Sequence, residues 1–202
     1  MTLDALRPIA NRLLEPFVHM ADRIGVTPDG ISVLALLCSV LAGSAFWLAG
    51  ENAVWYLVGA FLVFANGWFD LLDGALAREQ QIASPAGDLL DHVLDRYADI
   101  VIVIGLAAGI GEYFIGLLAI TGVLMTSYLG TQAIAVGMDR VYGGVVGRAD
   151  RLALIGFTGV VVFLFPDAIY GYTLVGWLLI ILAIVGHVTA LQRFLYAYRS
   201  LE

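Results

Sequence analysis

Long apolar stretches alternate with short polar joints along this chain, and the length and period of each stretch determine what it forms. Six stretches, roughly 31–49, 54–72, 89–110, 113–137, 152–166 and 170–190, have the length and apolarity of membrane-crossing helices. The fifth is short, and little more than Gly111-Glu112 separates the third from the fourth. Ahead of them, Leu3, Leu6, Ile9, Leu13, Leu14, Phe17, Val18 and Ile24 recur at helical spacing between charged residues. That pattern predicts an amphipathic helix lying in the membrane interface, broken by Thr27-Pro28-Asp29-Gly30. Arg7, Arg12, Asp22 and Arg23 interrupt the apolar run that a cleavable leader would need. The expected fold is an all-α integral membrane protein, six transmembrane helices preceded by an N-terminal interfacial amphipathic helix. A single membrane domain would cover 1–202: interfacial helix and Thr-Pro turn over 1–30, six-helix bundle over 31–190, cytoplasmic tail over 191–202.

Composition agrees. Of 202 residues, 61% are hydrophobic and 13% charged, against roughly 45–50% and about 25% in soluble domains. The mean hydropathy is +0.92. A core of this size cannot hide so much apolar surface, so lipid must solvate it. A single cysteine, Cys38, excludes an internal disulfide and a cysteine-clustered metal site. Net charge is −7, and all ten bases are Arg. The acidic balance excludes a nucleic-acid partner, and the absence of Lys excludes Schiff-base chemistry.

The charges also orient the chain. Joints near 50–53, 111–112 and 167–169 carry Glu51, Glu112 and Asp167 but no Arg. Arg7, Arg12, Arg23, Arg78, Arg140, Arg148, Arg151, Arg193 and Arg199 all fall on the other side, with Arg96 close to it. The positive-inside rule makes that side cytoplasmic, with both termini inside a cell membrane. No internal repeat of the kind that builds inverted-repeat transporters is visible. Gly105/Gly109 and Gly143/Gly147 have the spacing of close helix packing.

Acids inside membrane helices are costly and point to function. The second stretch ends Asn66-Gly67-Trp68-Phe69-Asp70-Leu71-Leu72-Asp73-Gly74, with Asp70 and Asp73 on one helix face. The third opens with Asp91 and Asp95 at i, i+4, and Asp88 and Asp99 extend that stripe. The short link around Ser84-Pro85 predicts antiparallel neighbours whose acids face each other. Clustered carboxylates repel one another unless a cation neutralises them, and oxygen-only ligands select hard divalent ions, Mg²⁺ or Mn²⁺. Helix capping alone accounts for Asp88, and could extend to Asp91. It does not account for Asp70 and Asp73, which sit at a C-terminal end where the dipole disfavours anions.

Taken together, Asp70-x-x-Asp73-Gly74-x-x-Ala77-Arg78, eight residues, then Gly87-x-x-x-Asp91-x-x-x-Asp95 resembles the signature of the CDP-alcohol phosphotransferases. The resemblance extends over the whole chain, with Asp29 standing where many members have Asn after Thr-Pro. It implies that Asp70, Asp73, Asp91 and Asp95 hold two divalent metals, and that Asp70, Asp73, Gly74, Ala77, Arg78 and Gly87 bind the CDP end of a CDP-linked lipid. Asp95 is implied as the general base that takes the acceptor hydroxyl's proton before attack on the β-phosphate and departure of CMP. The family also implies a homodimer. The small residues fit this physically, since a base and a pyrophosphate must approach the backbone closely, and Arg78 supplies a fixed cation.

A second polar patch comprises Ser127-Tyr128, Asp139-Arg140 and Gly147-Arg148-Ala149-Asp150-Arg151. Arg140, Arg148 and Arg151 could form a phosphate site for a phosphorylated acceptor, or serve as anchors to lipid headgroups. An Arg opening a helix opposes the dipole, so an anion or an acid must compensate it. The patch resembles the inositol-phosphate-using branch of the family, although Leu129-Gly130-Thr131-Gln132 stands where that branch often has bases. Glycerol 3-phosphate and serine stay open as acceptors, as do diacyl (CDP-diacylglycerol) and ether (CDP-archaeol) lipids. An ion-coupled carrier would place its acids near the midplane, lining a path, rather than gathered at one boundary.

Overall fold

A computed structural model describes residues 7–82, 84–139, 141 and 146–202, with side chains from residue 12 onward. Seven helices carry the described chain: α1 Arg7–Arg23, α2 Pro28–Leu48, α3 Val54–Glu79, α4 Pro85–Ile110, α5 Tyr113–Ala135, α6 Arg148–Leu164 and α7 Leu174–Leu201. The only β pairing among the described residues is an isolated Ile169–Tyr172 bridge in the α6–α7 joint.

Local chemistry sets the helix ends. The Thr27 and Ser84 hydroxyls accept from the Gly30 and Gly87 amides at 3.2 and 3.1 Å, each followed by Pro at the first helical position. Thr173 starts α7 in the same way. Gly111, at φ +74°, closes α4: its own amide and that of Glu112 return to Ala108 and Ala107. That single left-handed residue is why α5 can begin at once.

Each of the six apolar stretches is a helix, with shifted edges. The third begins earlier, at Pro85, because Ser84 caps it. The last does not stop at 190; α7 continues to Leu201, so the expected tail is helical. Four helices, α2, α3, α5 and α7, are long and apolar enough to cross a membrane. The other two fall short for a physical reason: α4 carries Asp88, Asp91, Asp95, Arg96 and Asp99 between its start and its middle turns, and α6 has 17 residues and opens on Arg148 and Arg151. Phe61, Phe114, Phe157 and Ile184 point outward, at 60–71% exposure. Such a surface requires an apolar solvent.

Helix α2 packs along both α3 and α4, α5 pairs with α7, and α6 lies on α3. The main core gathers Phe46, Val63, Ile102, Leu106, Ile155, Val175 and Leu179. A second cluster joins Leu14, Val18 and Ala21 of α1 to Ile31, Leu72 and Leu76, so α1 packs against the polar end of α3. Phe17 stacks edge-on against Trp68 there, with centroids 5.3 Å apart.

Glycines bring α2 and α4 into backbone contact. A Cβ at Gly105 would meet the Gly43 Cα at 2.5 Å, and one at Gly109 would meet the Phe46 carbonyl. Close packing thus explains the Gly105/Gly109 spacing; Gly143 lies outside the described residues. Gly105→Val should lower the thermal stability of the detergent-solubilised protein by about 1–3 kcal/mol or more. Gly67→Ala, whose methyl would meet only Leu152 Cδ1 at 3.7 Å, should not. Melting curves of both variants check this.

Candidate active site

The end of α3 and the start of α4 both ride on the first turns of α2, and together they enclose a cavity of about 470 Å³. Thr27, Asp29 and Ser32 line it from the α2 side, Asp73, Gly74, Ala77 and Arg78 from α3, and Ser84, Gly87, Asp88 and Asp91 from α4. Helical periodicity selects this set, since 70, 73/74 and 77/78 share one face of α3, as 87/88, 91 and 95 do on α4. The structure therefore brings Asp73, Gly74, Ala77, Arg78 and Gly87 around one space. Gly74 leaves room for the Arg78 side chain, which folds back so that a Cβ at 74 would lie 3.5 Å from its Nη1.

Ser32, Asp73 and Asp91 also line a narrow recess that continues inward to Asn66, Asp70, Asp95 and Arg148. Here Asp70, Asp91 and Asp95 can each offer one oxygen, all within 4.8 Å of one another. Three oxygens so close on half-buried helices suit a hard divalent ion, in number and in kind. Asp73 stands slightly apart: its Oδ2 accepts from the Ser32 hydroxyl at 2.6 Å. Asp73 lines both the cavity and the recess.

The arginines take definite positions. Arg148, the first residue of α6, reaches between α3 and α4, with Nη1 2.6 Å from Asp70 Oδ1 and Nη2 2.7 Å from Asp95 Oδ1. The first contact is an ion pair without an aligned hydrogen bond. These acids supply the compensation that an arginine at a helix start requires, while Asp150 satisfies the Gly147 amide at 3.0 Å. Arg151, one turn on, donates to Asp99 Oδ2 at 2.7 Å with both side chains about 5% exposed. Arg96 lies 3.7 Å from the same oxygen and 3.4 Å from Asp95. Arg148 thus enters the carboxylate cluster, Arg151 pairs with Asp99 beside it, and Arg140 lies outside the described residues.

Some participants carried weaker sequence signals. Asp99 belonged to the acidic stripe, but its service to three guanidiniums did not show in spacing. Asn66, 1% exposed, donates to the Ala35 carbonyl at 2.9 Å and ties α3 to α2 one turn before Asp70; an Asn in an apolar run four residues before an Asp was the available sign. Arg193, buried in α7, donates to the Thr126 carbonyl at 2.7 Å. It sits over Gly130, whose missing side chain makes the room. Tyr128 is exposed, and Thr126 rather than Ser127 is the buried hydroxyl of α5, donating to the Gly186 carbonyl at 2.8 Å. His92 turns its Nδ1 to the Asp88 carbonyl at 2.7 Å.

A helical membrane bundle with carboxylates from two helices at the base of a glycine-lined cavity defines a class. The chain belongs to the CDP-alcohol phosphatidyltransferase family, whose profile matches residues 25–197. It is a transferase of phospholipid biosynthesis. It is 33% identical over 205 aligned positions to the archaetidylinositol phosphate synthase of Methanothermobacter thermautotrophicus, covering 99% of this chain and 96% of that one. The crystal structure of Mycobacterium tuberculosis phosphatidylinositol phosphate synthase with CDP-DAG bound superposes with a TM-score of 0.78 at 26% identity, covering 93% of this chain and 94% of that one. The same enzyme in complex with manganese and citrate also gives 0.78 at 26% identity, over 92% and 88% of the two chains.

Proposed function

We propose that this chain transfers a phosphatidyl or archaetidyl group from a CDP-linked lipid to a hydroxyl of inositol phosphate, releasing CMP. The observation that carries it is the Asp70–Asp91–Asp95 cluster at the inner end of a cavity lined by Gly74, Ala77, Arg78 and Gly87. The inositol phosphate synthases among the relatives support the acceptor. Asp70, Asp73, Gly74, Ala77, Arg78 and Gly87 hold the CDP end, with Arg78 facing the pyrophosphate. Asp70, Asp73, Asp91 and Asp95 are the ligand set for Mg²⁺ or Mn²⁺, two per active site, which would neutralise the pyrophosphate and the departing CMP. Asp95 takes the proton of the acceptor hydroxyl. That oxygen bonds to the β-phosphorus as the bond to the CMP phosphate breaks. Arg140, Arg148 and Arg151 serve the acceptor phosphate.

The same reading places six spans across the membrane, α2 to α7, in one domain. Asp95 and Asp99 of α4 pair with Arg148 and Arg151 of α6 instead of facing lipid, and the more exposed Asp88 and Asp91 lie at the cavity end of α4. Helix α1 lies in the interface, since Leu13, Phe17 and Met20 stay exposed on it while Leu14, Val18 and Ala21 are buried. The one-sided Arg distribution puts both termini and the active site in the cytoplasm. The assembly is a homodimer, as the family resemblance implies.

The test is CMP release by the purified protein from CDP-diacylglycerol or CDP-archaeol with Mg²⁺, offering inositol 1-phosphate, glycerol 3-phosphate and serine in parallel. Release that requires inositol phosphate and stops with EDTA is expected. Release with glycerol 3-phosphate alone would keep the chemistry and overturn the acceptor. Glycerol 3-phosphate is the competing reading because Leu129-Gly130-Thr131-Gln132 offers no cation beside the patch.

A further inference from the structure

Two of the three carboxylates grouped to hold a metal are also the two that Arg148 grips. Its terminal nitrogens lie 2.6 and 2.7 Å from oxygens of Asp70 and Asp95, while those same groups and Asp91 bring oxygens within 4.8 Å of one another. A guanidinium and a divalent cation both need these oxygens, and in so small a space the two cations also repel each other.

The grip is electrostatic and incomplete. Arg148 Nε and Nη1 are buried without a hydrogen-bond partner, and Nε is 4.0 Å from Asp99. Buried donors left unpaired cost free energy that another arrangement of the side chain can recover. Arg148 is the first residue of α6, and its release breaks only side-chain ion pairs. Arg151 differs, being hydrogen-bonded to Asp99, which is outside the metal-grouped set.

We propose that Arg148 is an internal counter-cation that competes with the divalent metal for Asp70 and Asp95, so that metal entry expels its guanidinium from the cluster. Metal loading and release of Arg148 are then a single event, and the released guanidinium is freed for an anion. The inference rests on the metal-ligand reading of Asp70, Asp91 and Asp95.

The test is Mn²⁺ binding to the full-length, chelator-stripped protein in detergent, read from the spectroscopic signal of free Mn²⁺. If the guanidinium blocks the site most of the time, Arg148→Met should tighten binding by about tenfold or more, the factor set by the fraction of competent site. Arg151→Met removes the same charge from Asp99 and should change affinity much less. Equal tightening in both variants would reduce the effect to general electrostatics and overturn the proposal, as would unchanged or weaker binding in Arg148→Met. Saturable Mn²⁺ binding by no form of the protein would instead remove the metal reading itself. A second measurement uses the wild-type chain, with phenylglyoxal labelling of individual arginines followed by peptide mass spectrometry. Mn²⁺ should accelerate labelling at Arg148 and leave the exposed Arg199 unchanged; slower or unchanged labelling at Arg148 would overturn the proposal.

Discussion

Asp95→Asn should reduce CMP release by about 10²–10⁴-fold, the range lost when a positioned proton acceptor is removed, while CDP-lipid binding stays measurable. The side chain is 17% exposed and lies in the recess, beyond the residues that line the larger cavity. Asn keeps the shape but cannot take the hydroxyl proton at neutral pH. It also loses one negative charge from the ligand set, so the loss should be measured at saturating Mg²⁺ and again at a tenfold excess. A residual rate that returns toward normal with metal would make Asp95 a ligand only. Near-normal turnover under all conditions would remove it from the chemistry. Donor binding, measured with a non-transferring assay that omits the acceptor, distinguishes either result from a collapsed cavity.

The second large effect falls on stability and on a residue outside the proposed ligand set. Asp99→Leu should destabilise the detergent-solubilised protein by about 3–5 kcal/mol, the cost of removing one partner from a buried ion pair. Asp99 is 5% exposed and has Arg151 at 2.7 Å, Arg96 at 3.7 Å and Arg148 at 4.0 Å. Without it, the buried guanidinium of Arg151 has lost its hydrogen-bonded carboxylate. The double variant Asp99→Leu/Arg151→Leu should recover much of the loss, because an apolar pair of similar volume avoids the unpaired charge. Melting curves of the two variants decide it. A single-variant loss below about 1 kcal/mol would show the cluster to be well hydrated.

The helices were legible in the sequence because each apolar stretch is bounded by its own punctuation: Thr27-Pro28, Ser84-Pro85 and Gly111 act within a few residues of themselves. Helix α7 outran its expected end because Leu191, Phe194, Leu195 and Tyr198 keep helical spacing after the purely apolar run stops, with Arg193 tucked inward. The grouping of residues around one cavity was legible too, since they recur at three- and four-residue intervals on two helices joined by a short link. The arginines were not. Arg148 meets Asp70 and Asp95 from 78 and 53 positions away, and nothing local distinguishes an arginine that meets a phosphate from one that meets a carboxylate. The expectation that α3 and α4 simply face each other also missed the part of α2. Ser32 and the Ala35 carbonyl are its contacts with Asp73 and Asn66, and an ordinary apolar helix gives no sign of them.

The backbone seam between Gly43 and Gly105 has a mechanical consequence. At 1.5 Å per residue, Asp91 sits about 21 Å along α4 from Gly105. Sterically, the seam is the fixed point of α4, because neither helix can approach or slide there without main-chain collision. Between the seam and Asp91, α4 is held a second time, by the Arg148–Asp95 and Arg151–Asp99 ion pairs. A tilt of about 5° about the seam would carry Asp91 by about 2 Å over this arm, and it would have to stretch those ion pairs on the way, so seam and ion pairs together set the width of the cavity.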